Sequence, residues 1–268
     1  MLQVHKAIVS AKWLQQHLEN QHLIVLNATL IDFNELAIQQ IPKSRFFDIK
    51  QKFSDVTSSF PNTCPSSEQF TCEAQKLGIN NDSCIVVYDE KGIFSSARVW
   101  WLFKAFGYTN VAVLNGGLPE WQNQGFPTEK ISVFTGDSGN FTANYQPGYM
   151  KFFNDIVTEI DDDTHTIIDA RSESRFKGLV TETRPGLRSG HIPNSKNLPY
   201  ESLLNNGILN DDATLKASLQ TIAQPEDQIT FSCGSGITAC ILALSAEISG
   251  YKHISVYDGS WTEWGTLF

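Results

Sequence analysis

The sequence predicts an α/β fold present in two copies. Three observations predict it. A length of 268 residues is about twice that of an ordinary domain. Short segments recur in the same order at nearly constant offset. Apolar, β-rich runs alternate with helical patterns, as in parallel sheets flanked by helices.

The repeat is specific. Val113-Leu114-Asn115-Gly116-Gly117-Leu118-Pro119-Glu120-Trp121 resembles Val256-Tyr257-Asp258-Gly259-Ser260-Trp261-Thr262-Glu263-Trp264, and the final tryptophans lie 143 residues apart. Cys84–Tyr88 matches Gln228–Ser232 at an offset of 144, and Ile24–Ala28 matches Thr166–Ala170 at 142. Ile41-Pro42 and Ile192-Pro193 are 151 apart, so the second copy carries a local insertion.

The elements follow in order. Leu23–Leu26, Ile85–Tyr88 and Val111–Leu114 are short continuous apolar runs and predict buried strands of the first copy. Ser95–Phe106 between them reads as helix. Residues 128–148 hold Pro, Gly, Ser, Thr and Asn with few apolar positions and predict a linker. Thr166–Asp169, Ile229–Ser232 and Ile254–Tyr257 predict the second set of strands, with a helix over Ile237–Ile248. The expected division is therefore 1–127, a linker, and 149–268.

Composition bounds the function. Apolar residues make up 41% and aromatic residues 11%, enough for a core and too many for a disordered chain. The net charge of −9 carries no basic footprint for nucleic acid and suits anionic membranes poorly. No apolar run reaches the length of a membrane helix, and the first residues do not read as a signal peptide. Cys64, Cys72, Cys84, Cys233 and Cys240 are odd in number and include no CxxC pair, which predicts reduced thiols and a cytoplasmic setting. No Cys/His cluster has zinc spacing. His17 and His22 read as solvated surface residues.

Cys233 stands apart from the other cysteines. It ends a predicted strand and is followed by Gly234-Ser235-Gly236 and then a helix. Glycines let the backbone turn tightly and aim successive N–H groups inward, and the helix adds its positive end. That setting favours a thiolate, the form a cysteine nucleophile needs. The alternative is a structural cysteine beside a tight turn. Cys240 sits in an apolar helix and reads as core; Cys64, Cys72 and Cys84 lack a glycine loop and read as structural. A cysteine phosphatase would need an arginine after the loop, and a nucleotide phosphate loop a lysine; neither is present.

Cys233-Gly234-Ser235-Gly236-Ile237-Thr238-Ala239 resembles the active loop of 3-mercaptopyruvate sulfurtransferases, the tandem-domain branch of the rhodanese family. The likeness covers nearly the whole chain. It includes Phe46-Phe47-Asp48-Ile49, Ser54-Asp55, Arg98-Val99-Trp100-Trp101 and Asn115–Leu118 in the first half. In the second it includes Asp169-Ala170-Arg171, Arg175-Phe176, Arg184–Arg188, Gly190–Pro193 and Asp258–Trp261. The resemblance implies two tandem rhodanese-like domains, each a mainly parallel sheet flanked by helices. It implies that Cys233 takes sulfur from 3-mercaptopyruvate, releases pyruvate and passes the sulfur to a thiol or cyanide. No metal or organic cofactor is implied. Thioredoxin, glutathione, cyanide and a biosynthetic acceptor stay open as the sulfur's destination. Cys233 and Ser235 would be catalytic. Arg175, Arg184, Gly234, Gly236, Ile237 and Thr238 would bind the donor, with the arginines gripping its carboxylate. Arg171 and Arg188 are expected in ion pairs that hold the loop, Asp169 in the ordering of the core, and His191 in a structural turn.

Relatives that prefer thiosulfate put Arg and Lys after the cysteine. Gly234 and Ser235 are neutral, which favours a monocarboxylate donor. Thiosulfate sulfur transfer is the alternative; a non-catalytic persulfide carrier or redox-sensing module is the rival from another class. The chain also departs from its relatives. Asp89 stands at the Cys233 position of the first copy, and Asn27-Ala28-Thr29 replaces Asp169-Ala170-Arg171, so the first copy is expected to be inactive. Lys50 and Asn62 stand where some relatives place the Asp and His of a proposed relay to the serine, so that relay is not carried over.

Overall fold

The structure, a computed structural model, describes residues 2–30 and 39–268. The chain divides into two compact units. One comprises Met1–Asp55, Cys64–Tyr145 and Asn206–Ile208; the other comprises Val56–Thr63, Gln146–Asn205 and Leu209–Phe268. A short segment from the first half of the sequence, Val56–Thr63, thus belongs to the second unit.

The first unit contains β1 (Ile8–Val9), β2 (Leu23–Asn27), β3 (Arg45–Phe46), β4 (Cys84–Tyr88) and β5 (Val111–Leu114). They form one sheet in the order β1-β5-β4-β2-β3, with every neighbouring pair parallel. The second unit contains β6 (Met150–Lys151), β7 (His165–Asp169), β8 (Lys196–Asn197), β9 (Gln228–Ser232) and β10 (Ile254–Tyr257). Its sheet is also parallel throughout, in the order β6-β10-β9-β7-β8. Position for position the two orders are the same, as a duplicated domain requires.

The six predicted strands form, each within one residue of its expected ends. They were legible because a strand covered on both faces is apolar along its whole length: all five residues of β4 are buried. The edge strands β1, β3, β6 and β8 hold two residues each, too short to leave a pattern.

The helices of the first unit are α1 (Ala11–His17), α2 (Ser67–Lys76), α3 (Ser96–Ala105) and α4 (Gly117–Asn123). Those of the second are α5 (Phe153–Glu159), α6 (Glu173–Phe176), α7 (Asp212–Gln220), α8 (Ala239–Ile248) and α9 (Ser260–Leu267). In the first unit Leu14 of α1 and Trp121 of α4 cluster with Val25, Val86 and Tyr88 of the sheet. In the second, Ile156 of α5 and Trp261 and Trp264 of α9 cluster with Ile167 and Tyr257. α8 is buried from Ala239 to Ala246, as its lack of a polar face predicts. It begins two residues later than expected, because the loop after Cys233 runs on to Thr238.

The span 128–148 corrects the expected linker. Most of it packs onto the first unit. Gly139 and Phe141 donate backbone hydrogen bonds to Gln75 and Ile79. Phe141 is fully buried, with its ring 5.8 Å from that of Phe70, 5.7 Å from Phe103 and 5.4 Å from Tyr108. One aromatic anchor outweighs a polar composition, since burying a ring of that size contributes about 1.5–3 kcal/mol. Among the described residues no helix is long and apolar enough to cross a membrane.

Candidate active site

Register brings the site together. β9 pairs with β7 from Gln228 opposite His165 to Ser232 opposite Asp169, so both strands end level. Cys233 follows one strand and Ala170-Arg171 the other. Ala170 N–H donates to the Ser232 carbonyl at 2.8 Å, locking the two exits side by side at the carboxyl edge of the sheet. That edge is where open α/β sheets place their ligand sites.

Cys233 is 1% exposed. Two N–H groups of its loop meet an acceptor other than the thiol. The N–H groups of Cys233 and Gly236 donate to Ser260 Oγ, at 3.1 and 3.2 Å. The Ser260 hydroxyl donates to the Tyr257 carbonyl at 2.8 Å, and its oxygen lies 3.9 Å from Cys233 Sγ. Ser260 thus sits inside the turn as an acceptor, in a left-handed conformation with φ 50°. Such a φ is unfavourable for serine, and the two N–H bonds compensate. Trp261 N–H and Thr262 N–H, at the start of α9, bond the carbonyls of Cys233 and Gly234 at 2.9 Å each. The start of α9 therefore clamps the loop.

The two loop glycines have separate reasons. Gly236 has φ +73°, a conformation side chains rarely adopt. Gly234 lies close to an arginine: a Cβ there would sit 3.3 Å from Arg175 Nη2, so that side chain would have to shift slightly. The Ile237 side chain is buried. Gly234, Ser235 and Thr238 are partly exposed.

The arginines divide into two kinds. Arg171 is fully buried and bonds Asp169 through Nε and Nη2, Glu182 Oε1 through Nη1 at 2.8 Å, and the Gly190 carbonyl through Nη2 at 2.8 Å. Its guanidinium also lies 4.7 Å from the Trp261 ring. Arg171 is the expected ion pair holding the loop. Burial pushes the Asp169 carboxyl above its ordinary range, and the Arg171 bonds oppose that push. Arg175, 29% exposed at its side chain, gives Nη2 and Nε to Glu182 at 2.5 and 3.3 Å. Arg184 instead meets hydroxyls: Nη1 donates to Thr262 Oγ1 at 2.6 Å and Nη2 to Ser235 Oγ at 3.2 Å. Arg188, expected in an ion pair, lies 5.2 Å over the Trp261 ring instead.

Ser235 has a second neighbour. Asn62 Nδ2 donates to Ser235 Oγ at 3.0 Å and to the Ser235 carbonyl at 3.2 Å. A carbonyl can only accept, which fixes the amide with its nitrogen toward the serine. Asn62 therefore faces the serine with an amide N–H and cannot accept the hydroxyl proton from there. Lys50 is exposed and lies in the first unit. Tyr200 lies within electrostatic reach of Cys233 and Arg175, and burial is the main cause that raises its phenol.

The structure thus gathers Cys233, Gly234, Ser235, Gly236, Thr238, Arg175 and Arg184 around one loop. Sequence reasoning missed Glu182, Ser260 and Thr262. Ser260 left a signal: at the 143 offset its counterpart is Gly117, and both are left-handed, at φ 50° and 52°. Glu182, 6% exposed amid the arginines of its segment, could have been flagged as their partner. Cys240 is buried, with Sγ 3.3 Å from the Gly236 carbonyl, as expected of a core residue. Cys84 is buried, whereas Cys72, expected to be structural, is exposed on α2. None of the five cysteines is joined in a disulfide. His191 bonds the Phe176 carbonyl at 2.8 Å and stacks on the Phe176 ring, a structural arrangement. Among the described residues no group of three or more His, Cys, Asp or Glu is placed to hold a metal ion.

Known proteins agree with this architecture. The model of the rhodanese-like domain matches residues 10–124 and again 154–267. A mitochondrial thiosulfate/3-mercaptopyruvate sulfurtransferase of Arabidopsis thaliana is 36% identical over 97% of this chain and 76% of its own length. The 3-mercaptopyruvate sulfurtransferase of Escherichia coli K12 is 36% identical over 96% of this chain and 94% of its own. The crystal structure of SseA from E. coli, described as a 3-mercaptopyruvate sulfotransferase, superposes with a TM-score of 0.84 at 31% identity, covering 96% of this chain and 99% of that one. The chain belongs to the rhodanese family of sulfurtransferases, as a member with two rhodanese-like domains in tandem.

Proposed function

We propose that the chain moves sulfane sulfur from 3-mercaptopyruvate, through a persulfide on Cys233, to a thiol or cyanide acceptor. In the first step the Cys233 thiolate attacks the donor sulfur. An S–S bond forms, the C–S bond breaks with its electron pair passing to carbon, and the resulting enolate takes up a proton to give pyruvate. In the second step the acceptor attacks the outer sulfur, the S–S bond breaks, and the thiolate returns.

One observation carries the reading. Arg184 reaches the cysteine loop at Ser235 and has hydroxyls, not a carboxylate, for partners. A guanidinium so placed can take one carboxylate in bidentate fashion. Ser235 Oγ accepts from both Asn62 and Arg184, so its own O–H is left to donate to the donor's sulfur or carbonyl. It acts in this reading as a hydrogen-bond donor and not as a base. The names of the relatives, which include both donors, fit the same chemistry. The first unit serves in this reading as a scaffold.

Side-by-side kcat/KM for 3-mercaptopyruvate and thiosulfate tests the assignment. 3-Mercaptopyruvate is expected to be preferred, with pyruvate release abolished in Cys233→Ser and KM raised in Arg184→Ala. A clear preference for thiosulfate would defeat the choice of donor.

A further inference from the structure

We propose that Glu182 sets the net charge of the donor site and thereby selects a singly charged donor over a doubly charged one. The inference rests on the reading that Arg175 and Arg184 receive the donor.

Glu182 is nearly solvent-free and lies between two arginines. Oε1 takes Arg171 Nη1 at 2.8 Å, and Oε2 takes Arg175 Nη2 at 2.5 Å. Asp169 takes Arg171 Nε and Nη2, and Nη2 also donates to the Gly190 carbonyl. Apart from the Cys233 thiolate and from Arg188 over the Trp261 ring, the charges beside the loop are three guanidinium groups, those of Arg171, Arg175 and Arg184, and two carboxylates, those of Asp169 and Glu182. One positive charge is left over, and it falls on Arg184. One surplus charge matches one carboxylate. A dianion would bring a second negative charge with nothing to meet it, in a partly buried site where charges are screened less than in water.

The geometry also separates shape from charge. Glu182 binds Arg175 through Nε and Nη2 and leaves Nη1 to donate. The guanidinium lies against Gly234, so Arg175 still offers a directed N–H beside the cysteine loop. What Glu182 removes is its net charge. A loop with no cation of its own and a neutralised Arg175 act in the same direction.

The test reads anion binding at Cys233 without needing turnover. Alkylation of Cys233 by iodoacetamide is followed by peptide mass spectrometry, with sulfate as the dianion and methanesulfonate as a monoanion of similar shape. In the wild-type protein methanesulfonate is expected to protect at concentrations equal to or lower than sulfate. Protection by sulfate about tenfold better than by methanesulfonate would overturn the proposal without any variant. In Glu182→Gln the sulfate concentration for half-protection is expected to fall about tenfold relative to that for methanesulfonate, the scale of a screened unit-charge interaction at short range. A folded Glu182→Gln protein whose ratio moves less than about twofold would contradict the account. Glu182→Asp keeps the charge and should keep the wild-type ratio; a shift as large as that of Glu182→Gln would mean that shape and not charge is at work. Absence of sulfur transfer from any donor would defeat the proposed function and leave the anion ratio readable.

Discussion

The loops that end β4 and β9 are copies of one structure with opposite fillings. In the first unit the strand ends at Asp89, whose carboxylate is fully buried. Oδ1 accepts from Lys91 N–H at 2.9 Å, and Oδ2 accepts from Phe94 N–H, Ser96 N–H and the Ser96 hydroxyl at 2.7–2.9 Å. In the second unit the strand ends at Cys233, and two loop N–H groups go to Ser260 Oγ. The frame is the same: Leu118 N–H bonds the Asp89 carbonyl at 3.0 Å, as Trp261 N–H bonds that of Cys233 at 2.9 Å. The first loop holds an anion supplied by its own chain. The second is held open by a neutral hydroxyl, leaving a thiol at the position of that carboxylate. A loop built to surround negative charge can therefore serve as structure or as chemistry, depending on one residue.

The strand exits beside the loops differ in the same way. Asn27 Oδ1 accepts from Thr29 N–H at 3.1 Å, and Asp169 Oδ1 from Arg171 N–H at 2.9 Å, the same turn with and without charge. Arg171→Ala gives the largest expected effect. It leaves Asp169 buried without its partner and should destabilise the second unit by about 3–5 kcal/mol, read from urea denaturation. Thr29→Ala should cost about 1 kcal/mol or less. Equal costs at the two positions would erase the distinction drawn between the turns.

The next contrast is Ser260 against Gly117. Ser260→Gly relieves a left-handed serine, a gain of about 1–2 kcal/mol. It also leaves the N–H groups of Cys233 and Gly236 without their acceptor, at about 1–3 kcal/mol each. The net expectation is a loss centred on about 2–3 kcal/mol together with a lower kcat, because the loop loses its inner support. A stabilised variant with unchanged kcat would show that Ser260 does not hold the loop. Gly117→Ser cannot mimic Ser260: its Cβ would lie 2.4 Å from the carbonyl oxygens of Asp89 and Gly92.

The smallest effect concerns the middle of the sheets. At the repeat offsets Leu23, Val86 and Ala112 of the first unit become His165, Thr230 and Ser255 in the second. His165 Nε2 lies 2.6 Å from Thr230 Oγ1 and 3.1 Å from Glu159, and Thr230 Oγ1 lies 2.8 Å from Ser255 Oγ. Burial lowers the His165 imidazole below its ordinary value; Glu159 opposes that shift, and Lys151 adds to it. The unfolded chain therefore takes up this proton first as pH falls. Stability is full above the unfolded value near 6.5 and declines as pH drops through it toward the folded value. Melting temperature between pH 7 and 5 should fall more steeply in the wild-type protein than in His165→Gln. Parallel curves would remove His165 from the pH response.

These contrasts explain what was legible. The duplicated strands, the two predicted helices and the cysteine loop were local patterns, each written in no more than a dozen consecutive residues. The network around the loop was not local. Asn62 reaches Ser235 across 173 positions, Thr262 reaches Arg184 across 78, and Ser260 reaches Cys233 across 27. None of these spacings carries a periodicity. The anchor Phe141 was hidden by its polar neighbours, since composition averages over the one residue that packs. Ser260 and Thr262 stood inside a repeated motif, where the difference of Ser260 from Gly117 could be seen and its purpose could not.

The central claim is that sulfur is held at the end of β9 and at no other cysteine. Peptide-resolved mass spectrometry after brief exposure to 3-mercaptopyruvate, with the reductant left out, measures it directly. The expected result is one added sulfur on the peptide containing Cys233, none on those containing Cys64, Cys72, Cys84 or Cys240, and none at all in Cys233→Ser. Sulfur on any other cysteine, or on none of the five with any donor, would contradict the account.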